Sequence, residues 1–380
     1  MFLHFLVESM NIIINGIIWG AYLLSLYFSI FLLLVYLDKR SVFAKETSSL
    51  NPPHMPIVSV LIPAYNEENT IIKTLESVHR LDYPKEKLEV IVINDGSTDE
   101  TKQKIESFIK GKNNFKLLSH KNKGKAASMN TALKIAKGEF FACLDADSFV
   151  DSSTLKKMLS FYYKQNNPKL TIVTPAMKVD KPKTILQKIQ WLEYIVMIFF
   201  GRLTSHLDSV YVAPGPFSLY KTKTIQDLGG FDEKSITEDQ EIAYRVQKKN
   251  LLIKQCFDGY VYTSAPGKLK PFYKQRRRWY LGSIACLHKY KGMVANKKYG
   301  DFGLMQMVKN VTGYFLAIAG IAATGYLLLL PLIEKVQRFS LVNFDVTPYM
   351  SNMDLKFSML DLMTLNFHKA FIIVFLFAMA

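Results

Sequence analysis

The amino-acid sequence predicts an α/β fold built on an open parallel sheet. From about residue 56 to residue 150, short apolar runs alternate with helical patterns, which is typical of parallel strands covered by helices on both faces. Acidic residues follow several of the predicted strands, at the carboxyl ends where open sheets bind ligands. The 380 residues are 49% hydrophobic, enough for a sizeable core, and their net charge of +16 suits an anionic partner.

The periodicity predicts four buried strands in the first half, at residues 58–62, 88–93, 115–118 and 140–144. It predicts helices between them at residues 70–80, 100–110 and 125–135. The second half is less regular, with helices expected at 184–200 and 272–290. The first of these has an apolar face, which fits either a membrane interface or a protein core.

Residues 12–37 hold no charged residue and are long enough to span a bilayer. Lys39, Arg40 and Lys45 follow them, so the positive-inside rule places the next domain in the cytoplasm. Residues 311–333 form a second candidate span. A third apolar run, 370–380, is too short to cross and ends with the chain, so we expect a longer natural protein. The three scattered cysteines indicate no disulfide framework and fit a reducing compartment.

Asp95 follows the second predicted strand and is expected to face the ligand crevice. The alternative is a simple turn, in which Ser97 or Thr98 caps the next helix. The loop from Ser119 to Lys125 is basic and precedes a helix, so its amides and charges could meet a diphosphate. A solvated basic loop is the other interpretation.

Asp145 and Asp147 follow the fourth predicted strand, spaced so that both carboxylates point to one side. Such a pair is electrostatically costly unless a cation joins it. Mg²⁺ or Mn²⁺, held by one or two carboxylates and substrate phosphates, would neutralise charge on a leaving diphosphate. Exposed Asp pairs are also common, so the triplet alone is a weak signal.

Two later runs could carry chemistry. Thr237 and Gln240 fit a capping box at a helix start, but this leaves Glu238 and Asp239 unexplained, and one of these could be a general base. In the run Gln-Arg-Arg-Arg-Trp, Gln275, Arg278 and Trp279 share one helix face. That face suits a diphosphate and a sugar ring, although acidic lipid or nucleic acid would also attract it.

Taken in this order, the motifs resemble those of glycosyltransferase family 2, in its membrane-bound polymerising branch. The matching runs are Pro-Ala-Tyr-Asn-Glu (63–67), Asn-Asp-Gly-Ser (94–97), Gly-Lys-Ala (124–126), Asp-Ala-Asp (145–147), Thr-Glu-Asp (237–239) and Gln-Arg-Arg-Arg-Trp (275–279). The resemblance implies a GT-A catalytic domain that uses a UDP-sugar and a divalent cation and inverts the anomeric centre. Pro-Gly-Pro-Phe (214–217) is similar to the family's acceptor-proximal loop.

The resemblance also implies roles for single residues. The nucleotide-sugar would be held by Tyr65, Glu67, Asp95, Lys125 and Asp145, and the metal by Asp147. Asp239 would be the catalytic base, with Glu238 beside the acceptor. Gln275, Arg278 and Trp279 would close over the diphosphate and line the acceptor site.

These observations predict four regions: a transmembrane anchor (1–40), a cytosolic GT-A domain (54–265), interfacial helices (266–310) and a truncated C-terminal transmembrane region (311–380). The expected activity is metal-dependent transfer of a hexose or N-acetylhexosamine from a UDP-sugar to a growing polysaccharide at the cell membrane. The alternatives are a transferase that builds a glycolipid and a membrane protein that binds nucleotide-sugars without catalysis. No zinc spacing, RNP pattern or helix-turn-helix signal indicates a nucleic-acid partner.

Overall fold

A computed structural model describes residues 2–45 and 49–325 and the single positions 333, 336, 337, 340 and 341. The chain divides into two compact units, Met1–Arg40 with Val308–Ala380, and Ser41–Met307. In the first unit, helix α1 (Phe2–Lys45) contains a segment, Asn15–Ser41, that is long and apolar enough to cross a membrane. Helix α10 (Met307–Thr324) covers the start of the predicted second span. Residues 326–332 of that span and the whole apolar run 370–380 lie outside the described residues.

The second unit is built on an eight-stranded sheet with the order β3-β2-β1-β4-β7-β6-β8-β5. The strands are β1 (Val58–Ala64), β2 (Leu88–Asp95), β3 (Phe115–His120), β4 (Phe140–Cys143), β5 (Ser148–Val150), β6 (Leu170–Val179), β7 (Leu219–Lys221) and β8 (Leu252–Thr263). Strands β3, β2, β1 and β4 are parallel, as predicted. The other half is mixed, because β7 runs antiparallel to both β4 and β6.

Helices cover both faces of the sheet. They are α2 (Ile71–His79), α3 (Thr101–Ile109), α4 (Lys125–Leu133), α5 (Thr154–Gln165), α6 (Ile185–His206), α7 (Thr222–Asp227), α8 (Glu238–Lys248) and α9 (Leu269–Lys289). Alternate residues of each strand enter different cores. Val90 and Val92 pack on the face with α2 and α5, whereas Ile91 and Ile93 pack on the face with α4 and α8. Burial on both faces explains why these strands are continuous apolar runs.

The predicted strands and helices of the first half all form, with ends that differ by a few residues. The capping interpretation of the turn after β2 is wrong, however. Helix α3 begins at Thr101, beyond Ser97 and Thr98, and Asp99 accepts a hydrogen bond from the Thr101 backbone N–H at 3.0 Å. Ser97 instead accepts a hydrogen bond from the backbone of Asn66, so its hydroxyl joins two loops.

Helix α6 begins with a true capping box, in which Thr184 and Gln187 exchange hydrogen bonds. Its predicted apolar face is exposed rather than buried in the core of this unit. Ile185 is 78% exposed, and the same face continues with Ile189, Leu192, Val196 and Phe199. The side of α6 that packs inward carries Gln190 and Tyr194. The core-helix interpretation of this face is therefore wrong.

The start of α8 packs tightly against the middle of α9. A Cβ atom on Gly282 of α9 would overlap the Thr237 side chain, so only glycine allows this approach. Gln240 donates a hydrogen bond to Ser283 Oγ at 3.0 Å across the same contact. The predicted capping box of Thr237 with Gln240 is therefore wrong, because neither side chain caps α8.

A buried charge network extends this contact to the end of α9. Glu241, only 1% exposed, accepts hydrogen bonds from Lys289 Nζ at 2.7 Å and from the Tyr290 hydroxyl at 2.6 Å. Arg245 of α8 also pairs with it. Burial alone would raise the pKa of Glu241, but these hydrogen bonds hold it below its usual value. Helices α8 and α9 are thus joined by buried polar contacts as well as by packing.

All three thiols are buried and none forms a disulfide. Cys143 lies in β4, Cys256 in β8 and Cys286 in α9. Burial raises the pKa of Cys143, and it raises the pKa of Cys286 to about 11. The thiols of Cys143 and Cys286 therefore remain protonated and unreactive in the folded protein.

The close contact at Gly282 predicts a paired mutational effect. Gly282→Ala should lower the melting temperature by several degrees, because the new methyl group meets Thr237. Thr237→Ala in the same chain should restore most of the loss. Gly292→Ala is the matched control, since a Cβ at Gly292 meets nothing within 4 Å. An equal loss at both glycines would show that the contact with Thr237 is not the cause.

Candidate active site

Acidic residues predicted from separate motifs meet around Lys125, the first residue of α4. Its Nζ atom lies 2.6 Å from Asp145 Oδ1 and 3.0 Å from Glu238 Oε1. Burial alone would lower the pKa of Lys125, but Asp145, Glu238 and Asp239 raise it well above its ordinary value. One ammonium group therefore connects Asp145, which follows β4, with Glu238 at the start of α8.

Asp147 lies beside this cluster, and nearby positive charge only weakly stabilises its carboxylate. Burial, and then repulsion from Asp145, raises the pKa of Asp147 to about 6, against a hydrogen bond from the Ser148 hydroxyl at 3.0 Å. Glu67 adds a smaller repulsion. The position therefore favours the approach of a cation.

Asp239 occupies the first turn of α8. Burial, and then the neighbouring charge of Glu238, raises the pKa of Asp239 to about 6, while Lys125 opposes the shift. The backbone N–H of Gln240 donates to Asp239 Oδ1 at 2.8 Å and fixes the carboxylate. Asp239 is therefore ionised at neutral pH but more basic than an ordinary aspartate, as a proton acceptor should be.

The Pro-Gly-Pro-Phe loop closes over the same cluster. A Cβ atom on Gly215 would lie 2.8 Å from Lys125 Nζ and 3.2 Å from Asp145 Oδ2. Just before the loop, the backbone N–H of Ala213 donates to the carbonyl of Asp239 at 3.3 Å. A side chain at position 215 would enter the charged cluster and displace the ends of Lys125 and Asp145, a contact that the sequence alone does not reveal.

Asp95 shapes the basic loop that leads to Lys125. Its two carboxylate oxygens accept hydrogen bonds from the backbone N–H groups of Lys123 at 2.8 Å and Gly124 at 3.0 Å. His120 Nδ1 lies 3.3 Å from the same carboxylate. Asp95 therefore fixes the direction in which the chain enters α4, and with it the position of Lys125.

Tyr65 and Glu67 lie on the loop after β1, next to the loop that carries Asp95. The backbone N–H of Asn66 donates to Ser97 Oγ at 3.1 Å, and its side-chain oxygen accepts from the backbone of Thr98 at 2.9 Å. These bonds lock the two loops together. The Tyr65 side chain is 48% exposed, so its ring is available to a flat ligand group.

The three motif residues of α9 have different surroundings. Gln275 Oε1 is buried with no hydrogen-bond partner among the described residues, so it can accept a hydrogen bond from a ligand. Arg278 is exposed. Trp279 packs against a small apolar cluster of Val179, Tyr194 and Ala265.

Arg276 and Glu193 are site neighbours that the sequence reasoning missed. Arg276 Nη2 donates to Glu193 Oε2 at 2.7 Å, and a second bond joins Nη1 to Oε1. The guanidinium carbon lies 4.4 Å from the centroid of the Trp279 ring. The run Gln-Arg-Arg-Arg-Trp contains Arg276, but its partner is 83 residues away, and no local pattern identifies such a pair.

A metal site can be tested on the donor atoms present. Among the described residues, no three His, Cys, Asp or Glu side chains form a ready-made metal cluster. Asp145 and Asp147 supply only two carboxylates. This set fits Mg²⁺ or Mn²⁺, which bind through one or two carboxylates together with substrate phosphates, but it does not fit a cage made only of protein ligands.

The similarity of this chain to known proteins agrees with its fold and its motifs. Residues 59–229 match the model of glycosyl transferase family 2. The chain therefore contains a glycosyl transferase family 2 domain, and the resemblance seen in the motifs is confirmed.

The chain is similar to poly-β-1,6-N-acetyl-D-glucosamine synthases. It is 32% identical to the enzyme of Staphylococcus epidermidis over 265 residues, which are 69% of this chain and 63% of that protein. It is 31% identical to the enzyme of Staphylococcus aureus strain MSSA476 over 276 residues, covering 72% and 66%. The chain thus spans less than two thirds of the length of these relatives.

A solved structure supports the GT-A fold. The mannosyltransferase PcManGT from Pyrobaculum calidifontis, solved with GDP-Man and Mn²⁺, superposes with a TM-score of 0.64. The match covers 90% of this chain and 94% of that one at 20% identity. The predicted α/β, GT-A fold class is confirmed.

The raised pKa of Asp239 predicts a stabilising active-site mutation. The pKa is about 6 in the folded protein and 3.8 without its environment, so ionised Asp239 costs stability increasingly as the pH rises above 3.8, with the full cost present above pH 6. Asp239→Asn should raise the melting temperature at pH 7.5 by about 3 °C, and by less at pH 4.5.

Glu89→Gln is the control with the opposite sign. Burial would raise the pKa of Glu89, but hydrogen bonds from Lys116, the Lys137 backbone and Ser59 lower it. Its loss should therefore lower the melting temperature. A lower melting temperature for Asp239→Asn at pH 7.5 would show that the ionised carboxylate of Asp239 does not destabilise the folded protein.

Proposed function

We propose that the protein is an inverting glycosyltransferase that moves N-acetylglucosamine from UDP-N-acetylglucosamine to a hydroxyl group of a growing saccharide. The observation that carries the proposal is the cluster around Lys125. Lys125 pairs with Asp145 after β4 and with Glu238 at the start of α8, next to Asp239, a buried carboxylate whose pKa is about 6. The names of the related synthases support the choice of sugar within the hexose and N-acetylhexosamine class.

The donor nucleotide would lie on the loops after β1 and β2. Tyr65 offers an exposed ring to the uracil, and Glu67 and Asp95 offer carboxylates near the ribose. Asp145 and Lys125 would meet the nucleotide-sugar beyond the sheet edge. The ammonium group of Lys125, which pairs with Asp145, would turn from that carboxylate towards the diphosphate.

Asp147, assisted by Asp145, would hold a divalent cation together with the diphosphate oxygens. When bound, Mg²⁺ or Mn²⁺ would neutralise the charge that develops on the departing UDP. The neighbouring structure that contains Mn²⁺ and GDP-Man supports only the general use of such an ion in this fold. The chain's own part is to supply two carboxylates whose mutual repulsion the cation relieves.

Asp239 would act as the general base. Its carboxylate takes the proton of the acceptor hydroxyl while that oxygen forms a bond to the anomeric carbon. The bond from the anomeric carbon to the UDP oxygen breaks on the opposite face, which inverts the centre. Glu238 stays paired with Lys125 beside the acceptor, so that charge remains balanced as UDP leaves.

The acceptor would rest on the face of α9 that carries Gln275, Arg278 and Trp279. The buried Gln275 oxygen can accept a hydrogen bond from a sugar hydroxyl or amide. Arg278 can reach the diphosphate and Trp279 can stack on a sugar ring. The contact of α9 with Thr237 places this face next to the start of α8, where Asp239 lies.

We also propose that the protein acts at the cytosolic face of a membrane. Helix α1 has a segment that can span, and α6 and α9 expose apolar side chains beside basic ones. On α9, Leu269 is 75% exposed, and Tyr273, Tyr280 and Ile284 are exposed with it. Lysines 268, 270 and 274 lie at the same end of α9 and suit acidic lipid headgroups.

The donor and the base can be tested in one assay on the full chain in lipid nanodiscs. UDP release should be fastest from UDP-N-acetylglucosamine, compared with UDP-glucose, UDP-galactose and GDP-mannose, and should require Mg²⁺ or Mn²⁺. Asp239→Asn should lower kcat at least about 100-fold with little change in KM, because only proton removal is lost. The wild-type kcat should fall as pH drops through about 6.

Asp227→Asn, the same change on the exposed surface of α7, is the matched control and should leave kcat unchanged. Asp239→Asn with more than a tenth of the wild-type rate would refute the base assignment. A product of one or two sugars on a lipid would show that the enzyme builds a glycolipid and not a polysaccharide.

Contact of α6 with lipid can be tested with Trp191, which is 42% exposed on this helix. In a variant with Trp19 and Trp279 replaced by Phe, brominated lipids should quench at least half of the Trp191 fluorescence. The control is a Tyr65→Trp variant without other tryptophans, since position 65 is similarly exposed but lies at the proposed donor site. Equal quenching at the two positions would contradict a specific lipid-facing surface.

A further inference from the structure

We propose that Arg276 and Glu193 are positioning residues that set the orientation of Trp279 on the acceptor face. This inference rests on the proposed function, since it gives the two residues a part in the transfer reaction. They do not touch the reacting atoms. We call Glu193, Arg276 and Trp279 the α6–α9 clamp.

The clamp has the geometry of a strong, directional contact. The two bonds between the guanidinium of Arg276 and the carboxylate of Glu193 form a planar fork, which lysine could not reproduce. The same guanidinium lies 4.4 Å from the centroid of Trp279 and 4.9 Å from that of Phe272. Glu193 therefore fixes Arg276, and Arg276 packs against Trp279.

The indole is also held by an apolar cluster. Trp279 packs against the cluster that contains Val179, Ala265 and Tyr194, and Tyr194 is 4% exposed. Burial raises the pKa of Tyr194 to about 12, while the positive charge of Arg276 opposes the shift. The ring is thus fixed by this cluster and by the clamped guanidinium.

The clamp acts on a part of α9 that precedes the contacts with α8 described above. Those contacts begin at Gly282 and continue towards Tyr290, at the carboxyl end of the helix. The motif residues lie one to two turns earlier. Arg276 follows Gln275 directly, so the ion pair with α6 tethers α9 one residue from the Gln275 oxygen, which has no hydrogen-bond partner among the described residues.

The experiment is a double-mutant cycle on the full chain in nanodiscs, with Trp19 and Trp191 replaced by Phe so that only Trp279 fluoresces. Glu193→Gln and Arg276→Gln should each lower kcat about tenfold, with KM for UDP-N-acetylglucosamine changed less than threefold. Acrylamide quenching of Trp279 should rise at least twofold in both. The double variant should be no worse than the poorer single variant, because both changes break one contact.

Arg277→Gln is the matched control, since it removes an exposed arginine next in sequence and should change neither rate nor quenching. The proposal is overturned by unchanged quenching in both single variants, by unchanged kcat in an active enzyme, by multiplied losses in the double variant, or by an equal loss for Arg277→Gln. If the reference chain releases UDP from no donor, the proposed function fails, but the quenching results still decide whether the clamp holds Trp279.

Discussion

The ion pairs of Lys125 are the interaction on which the site depends. Without the ammonium group of Lys125, the carboxylates of Asp145, Glu238 and Asp239 would repel one another in a partly buried space. Lys125 joins them, and the loop held by Asp95 determines where Lys125 lies. The strand ends, the start of α8 and the Pro-Gly-Pro-Phe loop can therefore meet at one point. A nucleotide-sugar and its cation would enter a site whose charges are already arranged.

A second constraint is the union of α8 with α9. Gly282 removes the side chain that would keep the helices apart, and Glu241 adds a buried polar network. The carboxylate that would accept the proton and the helix that would support the acceptor consequently belong to one rigid pair. The contact between the helices would thus align the carboxylate of Asp239 with the motif side chains of α9, although no bond joins them directly.

Much of the fold could be predicted from the sequence, because strands buried on both faces are unbroken apolar runs and helices show their own period. The proposed site residues were identified from the order of the motifs, and the structure brings Asp145 and Glu238 together at Lys125. Predictions about local capping were less successful: Ser97, Thr98 and Thr237 fit capping patterns, yet their surroundings are set by other loops and by α9. The pair of Arg276 with Glu193 and the contact of Gly215 with Lys125 join distant segments, so only the folded chain reveals them.

The three buried thiols have a practical consequence. They are the chain's whole complement of cysteine, and they sit in a central strand, in a strand near the sheet edge and in α9. An alkylating reagent can reach each one only when its own element opens. The native protein therefore carries three internal reporters of local opening. The relative labelling rates of Cys143, Cys256 and Cys286 would rank the stability of the sheet centre, the region near the sheet edge and helix α9.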